Sequence, residues 1–188
     1  LSGSYMLFER HRAAPPPEIF AQIKYETPNI SGRMDNLRAA ILRPQLADLQ
    51  TQCSRWNALY RSMEAGLCDT AGLQLTVRPA NEGFVASSFQ FLLLDWPPAA
   101  VQDVIARCRL RGVELKWFGG EEPVGFTSRY DSWRYAPSDK MPKSDRILAG
   151  IIDMRLPLTF SNEDCTQIAR IITFEVSSVW KNQICDKP

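Results

Sequence analysis

Histidine is almost absent from this sequence: His11 is the single one among 188 residues. A Ser-His-Asp relay or a multi-histidine metal site would have to include it, so no metal centre is expected. An excess of one charge is absent too, with 22 Lys+Arg against 21 Asp+Glu. That removes the global electrostatic case for nucleic acid or an anionic membrane as partner. The longest apolar run, around Phe89 to Trp96, is far shorter than the roughly 20 residues a membrane span needs. With no signal-peptide pattern visible, a cytoplasmic location is the expectation. Five cysteines (Cys53, Cys68, Cys108, Cys165, Cys185) are odd in number, scattered, and form no C-x-x-C pair. Disulfide frameworks and zinc sites need closer spacing, so reduced and mostly buried thiols are expected.

What is present is an ordinary globular composition, long enough for one good core or two small lobes. The chain opens at Leu1-Ser2-Gly3-Ser4-Tyr5 without Met and without a start signal for helix or strand. This opening fits a fragment, a processed chain or an incompletely resolved protein. Pro15 to Pro17 remove backbone donors and impose an extended turn or linker. From Leu37 the apolar positions fall at 37, 40, 41, 46, 49, 53, 56, 59, 60, 63 and 67. Mostly three or four apart, they predict a long amphipathic helix ending near Gly66 or by Gly72. Pro44 lies inside that pattern and should kink or restart it, since an interior proline costs about 3 kcal/mol.

A β-rich stretch follows. Leu73 to Val77 alternates, and Phe84 to Asp95 alternates before turning continuously apolar. Pro97-Pro98 open a helix over Ala99 to Arg111, with Gly112 placed as a left-handed cap. Val113 to Trp117 returns as a strand, making a strand–helix–strand unit over 84–117. Residues 118–142 have no period, which for so long a stretch marks a functional or mobile loop. Ser144 to Gly150 suggests a short helix and Met154 to Leu158 a short extended piece. Ser161-Asn162-Glu163-Asp164 reads as an acidic capping box for a helix through Ile168, Ile171, Ile172 and Val176. The tail from Lys181 reads as disordered.

The most chemically loaded segment is Asn29-Ile30-Ser31-Gly32-Arg33-Met34-Asp35-Asn36-Leu37-Arg38-Ala39-Ala40, running on to Gln45-Leu46. Loop amides, the Ser31 hydroxyl, the Arg33 guanidinium and a helix N-terminus can converge on one anion there. Asp35 or Asn36 fits an N-cap better than a catalytic group. Arg33, Arg38, Arg43, Arg55 and Arg61 fit a solvated or interface face better than a nucleic-acid stripe. Of the lysines, Lys24, Lys140, Lys143, Lys181 and Lys187 sit in polar settings, and only Lys116 has an apolar neighbour, Trp117.

The Arg33-to-Leu46 segment resembles G-x-N-x-R-M-x-x-L-x-A-A…Q-L of the DegT/DnrJ/StrS aminotransferases. The Arg111-Gly112-Val113 turn, the aperiodic loop, and Leu156-Pro157-Leu158…Ser161-x-Glu163-Asp164…Ile168 follow the order of that family's second half. The resemblance covers nearly the whole chain. It implies an α/β fold: the end of a fold-type-I large domain with its interface loop (1–36), a connecting helix (37–72), a small α/β domain with a short, mainly antiparallel sheet (73–180), and a tail (181–188). It implies a pyridoxal 5'-phosphate enzyme, a homodimer or a chain partnered by the missing N-terminal half as a second segment, that aminates a keto-sugar, often nucleotide-linked, or a related ketone from a Glu or Gln donor.

The family's Asn in this motif reaches the phosphate of the partner subunit's cofactor; the aligned position here is Ser31, shorter than Asn, with Asn29 where the family has Gly. Arg33 matches directly. Tyr5 and His11 fall where the resemblance places the active-site entrance. The aromatic loop holding Trp117 and Tyr130, with Arg129 and Arg134 nearby, suits a sugar or phosphate edge or an ordered packed loop. The family's Schiff-base lysine belongs to its first half, so this chain by itself should not transaminate. A sugar dehydratase with the same cofactor and a non-enzymatic binding or regulatory module remain alternatives.

Overall fold

The computed structural model describes residues 18, 34–79, 81–120, 134 and 139–182. Two helices come first, α1 (Asn36–Ala47) and α2 (Leu49–Leu67), then a short strand β1 (Gln74–Leu75) and a longer one, β2 (Ser88–Leu92). After them come α3 (Pro98–Leu110), β3 (Lys116–Trp117), α4 (Pro142–Gly150), β4 (Ile151–Arg155) and α5 (Asn162–Trp180). The sheet runs β1-β2-β4-β3, and every pairing in it is antiparallel. The α/β class with a small antiparallel sheet is thus what the chain adopts.

Strand–helix–strand does occur, but with β4 inserted between its strands. β3 pairs with β4 rather than with β2, so the unit is a split one. β4 therefore has a neighbour on each side, which explains why it begins at Ile151, three residues before the expected Met154. Pairing on both edges recruits the Ile151-Ile152 backbone directly after α4, and Pro157, with no N–H, lies past its end. The other strands are shorter than their alternation suggests. β1 sits at the sheet edge, and the chain leaves it before Val77, which is 88% exposed, and Pro79.

One face of the sheet and three helices make the core. Phe89, Phe91, Ile152 and Met154 meet Leu59, Tyr60, Met63 and Leu67 of α2, Val101, Val104 and Cys108 of α3, and Cys165, Ala169, Ile172 and Val176 of α5. Full burial of each such large side chain contributes about 1.5–3 kcal/mol. Gly66 lets α2 and α5 approach closely, because a Cβ there would stand 2.6 Å from that of Ala169. At the end of this helix pair Gly72 (φ +79°) lies under Trp96 and Trp180, whose rings stack 5.4 Å apart. The Trp96 indole N–H donates to the Gly72 carbonyl at 3.1 Å.

The end signals behave as read. Gly112 (φ +82°) closes α3, with its N–H bonding the Arg109 carbonyl and that of Val113 reaching Cys108. Ser161 and Asp164 form the reciprocal box at the start of α5. The long first helix differs. Pro44 is tolerated inside α1, and the break comes at Asp48, whose N–H turns back to Leu46 while its carbonyl receives the Gln52 N–H of α2. Pro44 withholds one hydrogen bond, yet the chain stays helical through it from Asn36 to Ala47. The apolar stripe is also only half used: from Leu59 onward it is buried, whereas Leu37, Ile41, Leu46 and Leu49 are exposed.

Candidate functional site

Asp35 governs the entrance to α1. One carboxylate oxygen accepts the Arg38 N–H at 2.8 Å and the other the Arg38 guanidinium at 2.7 Å. This is the N-cap the sequence predicts, and it changes the anion-binding picture. An internal carboxylate already occupies the positive end of the helix, so a phosphate would meet repulsion there rather than free amides. Any anion contact by this junction falls to the loop before it. Asn29, Ser31 and Arg33, the expected cofactor contacts, lie outside the described residues, as do Tyr5, His11 and Tyr130 on the expected substrate side.

Trp117 is described. It stands on β3 opposite Ile152, and its indole N–H donates to the Ala149 carbonyl at 2.8 Å. The donor is therefore engaged in tying β3 to the end of α4, and the ring, half-buried, packs in part against the core. Gly119 seals that contact, since a Cβ there would lie 2.6 Å from the Trp117 indole nitrogen and 2.7 Å from the Ala149 carbonyl oxygen.

Behind the core face, the sheet carries a polar row that sequence reading passed over. Gln90, Asp153 and Lys116 are direct neighbours across β2, β4 and β3, with Ser88 opposite Arg155 alongside. The Gln90 amide donates to Asp153 at 2.6 Å and to the Ser88 hydroxyl at 2.7 Å. Asp153 is buried, at 7% exposure. The signal was present: a lone acid in Ile151-Ile152-Asp153-Met154 has to be satisfied by a partner across the strand. A carboxylate, an amide, a hydroxyl and two cations on one face can hydrogen-bond a polyhydroxylated or anionic ligand. They include no nucleophile–base pair.

Other charged groups are committed to structure. Arg78 lies over the rings of Phe84 (4.2 Å) and Tyr60 (5.1 Å) and bonds the Tyr60 hydroxyl, which holds its pKa above the ordinary value and pins the 78–84 loop to α2. Arg146 pairs with Asp95, a non-glycine residue at φ +62°; that hydrogen bond holds the Asp95 carboxyl below its usual range. Glu175, buried on α5, takes the Arg111 guanidinium from the end of α3.

Lys116, Lys140, Lys143 and Lys181 are all exposed. Among the described residues no lysine sits in the buried pocket that an anchoring amine for pyridoxal phosphate requires. The residues present therefore fit that cofactor only as contributors of contacts, not as its covalent anchor. No group of three or more His, Cys, Asp or Glu among the described residues is placed to hold a metal. No described helix is long and apolar enough to cross a membrane. Cys53, Cys68, Cys108 and Cys165 are free thiols, and Cys108 and Cys165 are buried whereas Cys68 is exposed; Cys185 lies outside the described residues.

Comparison with known proteins places this arrangement. The aminotransferase TlmJ from Streptoalloteichus hindustanus superposes with a TM-score of 0.65 at 15% identity, covering 81% of this chain and 40% of its own. The 3-amino-5-hydroxybenzoic acid synthase gives 0.61 at 14% identity, with 88% and 49% covered. DesI, solved in the presence of its TDP-sugar product, gives 0.60 at 14%, with 77% and 36% covered. The chain thus spans less than half the length of these solved relatives, and at such identities the likeness shows the fold alone. No curated protein matches. The model of the DegT/DnrJ/EryC1/StrS aminotransferase family matches residues 7–173, and the chain belongs to that family.

Proposed function

We propose that this chain forms the C-terminal part of a pyridoxal-phosphate-dependent aminotransferase that aminates a keto-sugar, nucleotide-linked or free, or a related ketone, from a Glu or Gln donor. The observation carrying this reading is the family match, which runs unbroken from ahead of the Asn29–Arg33 loop into α5. The sugar-nucleotide product held by DesI, a structural relative, supports the substrate class. When bound, the cofactor supplies the electron sink for amino transfer.

In this reading residues 1–36 close the cofactor domain, 37–72 connect, 73–180 form the small domain and 181–188 trail it. Ser31 and Arg33, with Asn29 beside them, hold the phosphate of the partner subunit's cofactor across a homodimer. A guanidinium makes the charge-assisted bonds for that task, and Ser31 adds a hydroxyl. Tyr5, His11 and Tyr130 line the substrate side, where the Trp117 ring offers an apolar edge. The Schiff-base lysine is not supplied by this chain.

Arg33→Ala in the intact protein tests the reading. Cofactor retained through dialysis, followed by its own absorbance, should drop while the folded fraction stays constant. Unchanged retention sinks the phosphate role of Arg33. Amino transfer from glutamate to a keto-sugar supports the transaminase; loss of water instead identifies the dehydratase-like alternative; no cofactor binding after reconstitution leaves the binding module.

A further inference from the structure

One face of α5 looks away from the core and is not uniformly polar. Arg170, Thr173, Phe174, Ser177, Ser178 and Lys181 follow one another at helical spacing and line a groove of about 470 Å³ floored by Gly66 at the end of α2. Eleven residues of helix separate its two cations by about 16 Å. Phe174 lies between them, 60% exposed, with the Arg111 guanidinium 4.9 Å from its ring centre. Arg61, Arg78, Arg107, Arg111 and Arg146 each hold a carboxylate. Among the described residues Arg170 and Lys181 hold none, and the half-buried hydroxyls of Ser177 and Ser178 have no hydrogen-bond partner. Thr173 is spent inward, sharing a 2.8 Å hydrogen bond with Thr70.

We propose that this groove docks an acidic, extended segment of a second protein, with one apolar side chain resting on Phe174 and carboxylates at Arg170 and Lys181. Charge selects this occupant. Two copies of α5 meeting antiparallel through Phe174 would set Arg170 of one opposite Ser178 of the other, about 4.5 Å along the axis from its Lys181, and a parallel pairing would set like against like; both bring cations together and repel. An extended strand at about 3.3 Å per residue covers the distance between the cations in about five residues. Its backbone carbonyls can accept from the two serine hydroxyls.

The test uses the intact protein and a short fluorescent peptide with a central phenylalanine between glutamates set about five residues apart. Fluorescence anisotropy should rise saturably and weaken with salt. The double variant Arg170→Glu, Lys181→Glu should bind at least about tenfold more weakly and should prefer the same peptide with lysines for glutamates. Phe174→Ala, which leaves the charges in place, should also weaken binding, and it serves alone should the double variant misfold. Cofactor retention should be unchanged in each folded variant. Equal binding to wild type and variants overturns the proposal, as does equal binding of the glutamate and lysine peptides. Failure of the peptide to bind while pyrophosphate does so at these cations also overturns it, in favour of a small-anion site.

Discussion

The thiols show how far environment separates identical side chains. Burial first, then the neighbouring Glu175 carboxylate, pushes the Cys108 thiol up to about 12. Cys165 is shifted upward by burial as well. A thiol whose pKa is raised by folding stabilises the fold fully below its ordinary value of 9.0 and loses that contribution as pH climbs toward about 12. Alkaline unfolding should therefore steepen within that window, and Cys108→Ala should flatten it; an unaltered pH profile would refute the assignment. Iodoacetamide at neutral pH should label Cys68 and spare Cys108 and Cys165 until denaturant is added, as peptide mapping would show. Ser161 offers a second residue-scale test. Removing its hydroxyl by Ser161→Ala should cost about 1 kcal/mol in denaturant unfolding, since the first turn of α5 loses its acceptor. The Asp164 carboxyl, held below its ordinary 3.8 by the Ser161 N–H, should lose its contribution as pH falls under that value.

Between elements, the Arg111–Glu175 contact joins the end of α3 to the middle of α5. The Glu175 side chain is 5% exposed and that of Arg111 50%. Solvent screens the arginine, yet its removal leaves a core carboxylate with only the Arg107 guanidinium, 4.0 Å away. Arg111→Met should cost about 1–3 kcal/mol, and Arg111→Met with Glu175→Gln should recover part of it in a double-mutant cycle. An additive cycle would show that the two do not interact. This tie could not be read from the sequence, where Glu175 interrupts an apolar stripe and Arg111 looks like a helix-end residue. The helix signals themselves were legible, because a capping box or a glycine in the left-handed region acts through bonds a few residues long. Strand ends were not, because a strand stops where its neighbour stops.

Across the whole molecule, packing is uneven. β4 and α5 lie at the centre, whereas α1, with 12 residues, buries none. A helix of that length is marginal by itself in water. Hydrogen exchange on the 188-residue chain should thus find α1 amides exchanging nearly as fast as in a free peptide and β4 and α5 amides slowest. Protection of α1 equal to that of α5 would mean that its exposed Leu37, Ile41 and Leu46 are covered after all.

Motifs read in order along the chain were enough to point to the family by resemblance, and local chemistry to the α/β class and the helix caps. The Asn29–Arg33 loop was likewise identified as the anion-binding candidate from its residues. Tertiary structure alone decided that β4 threads between β2 and β3, and that Gln90, Asp153 and Lys116 share one face. Each of these depends on groups far apart in sequence, whose meeting is set by which faces bury together rather than by any local pattern.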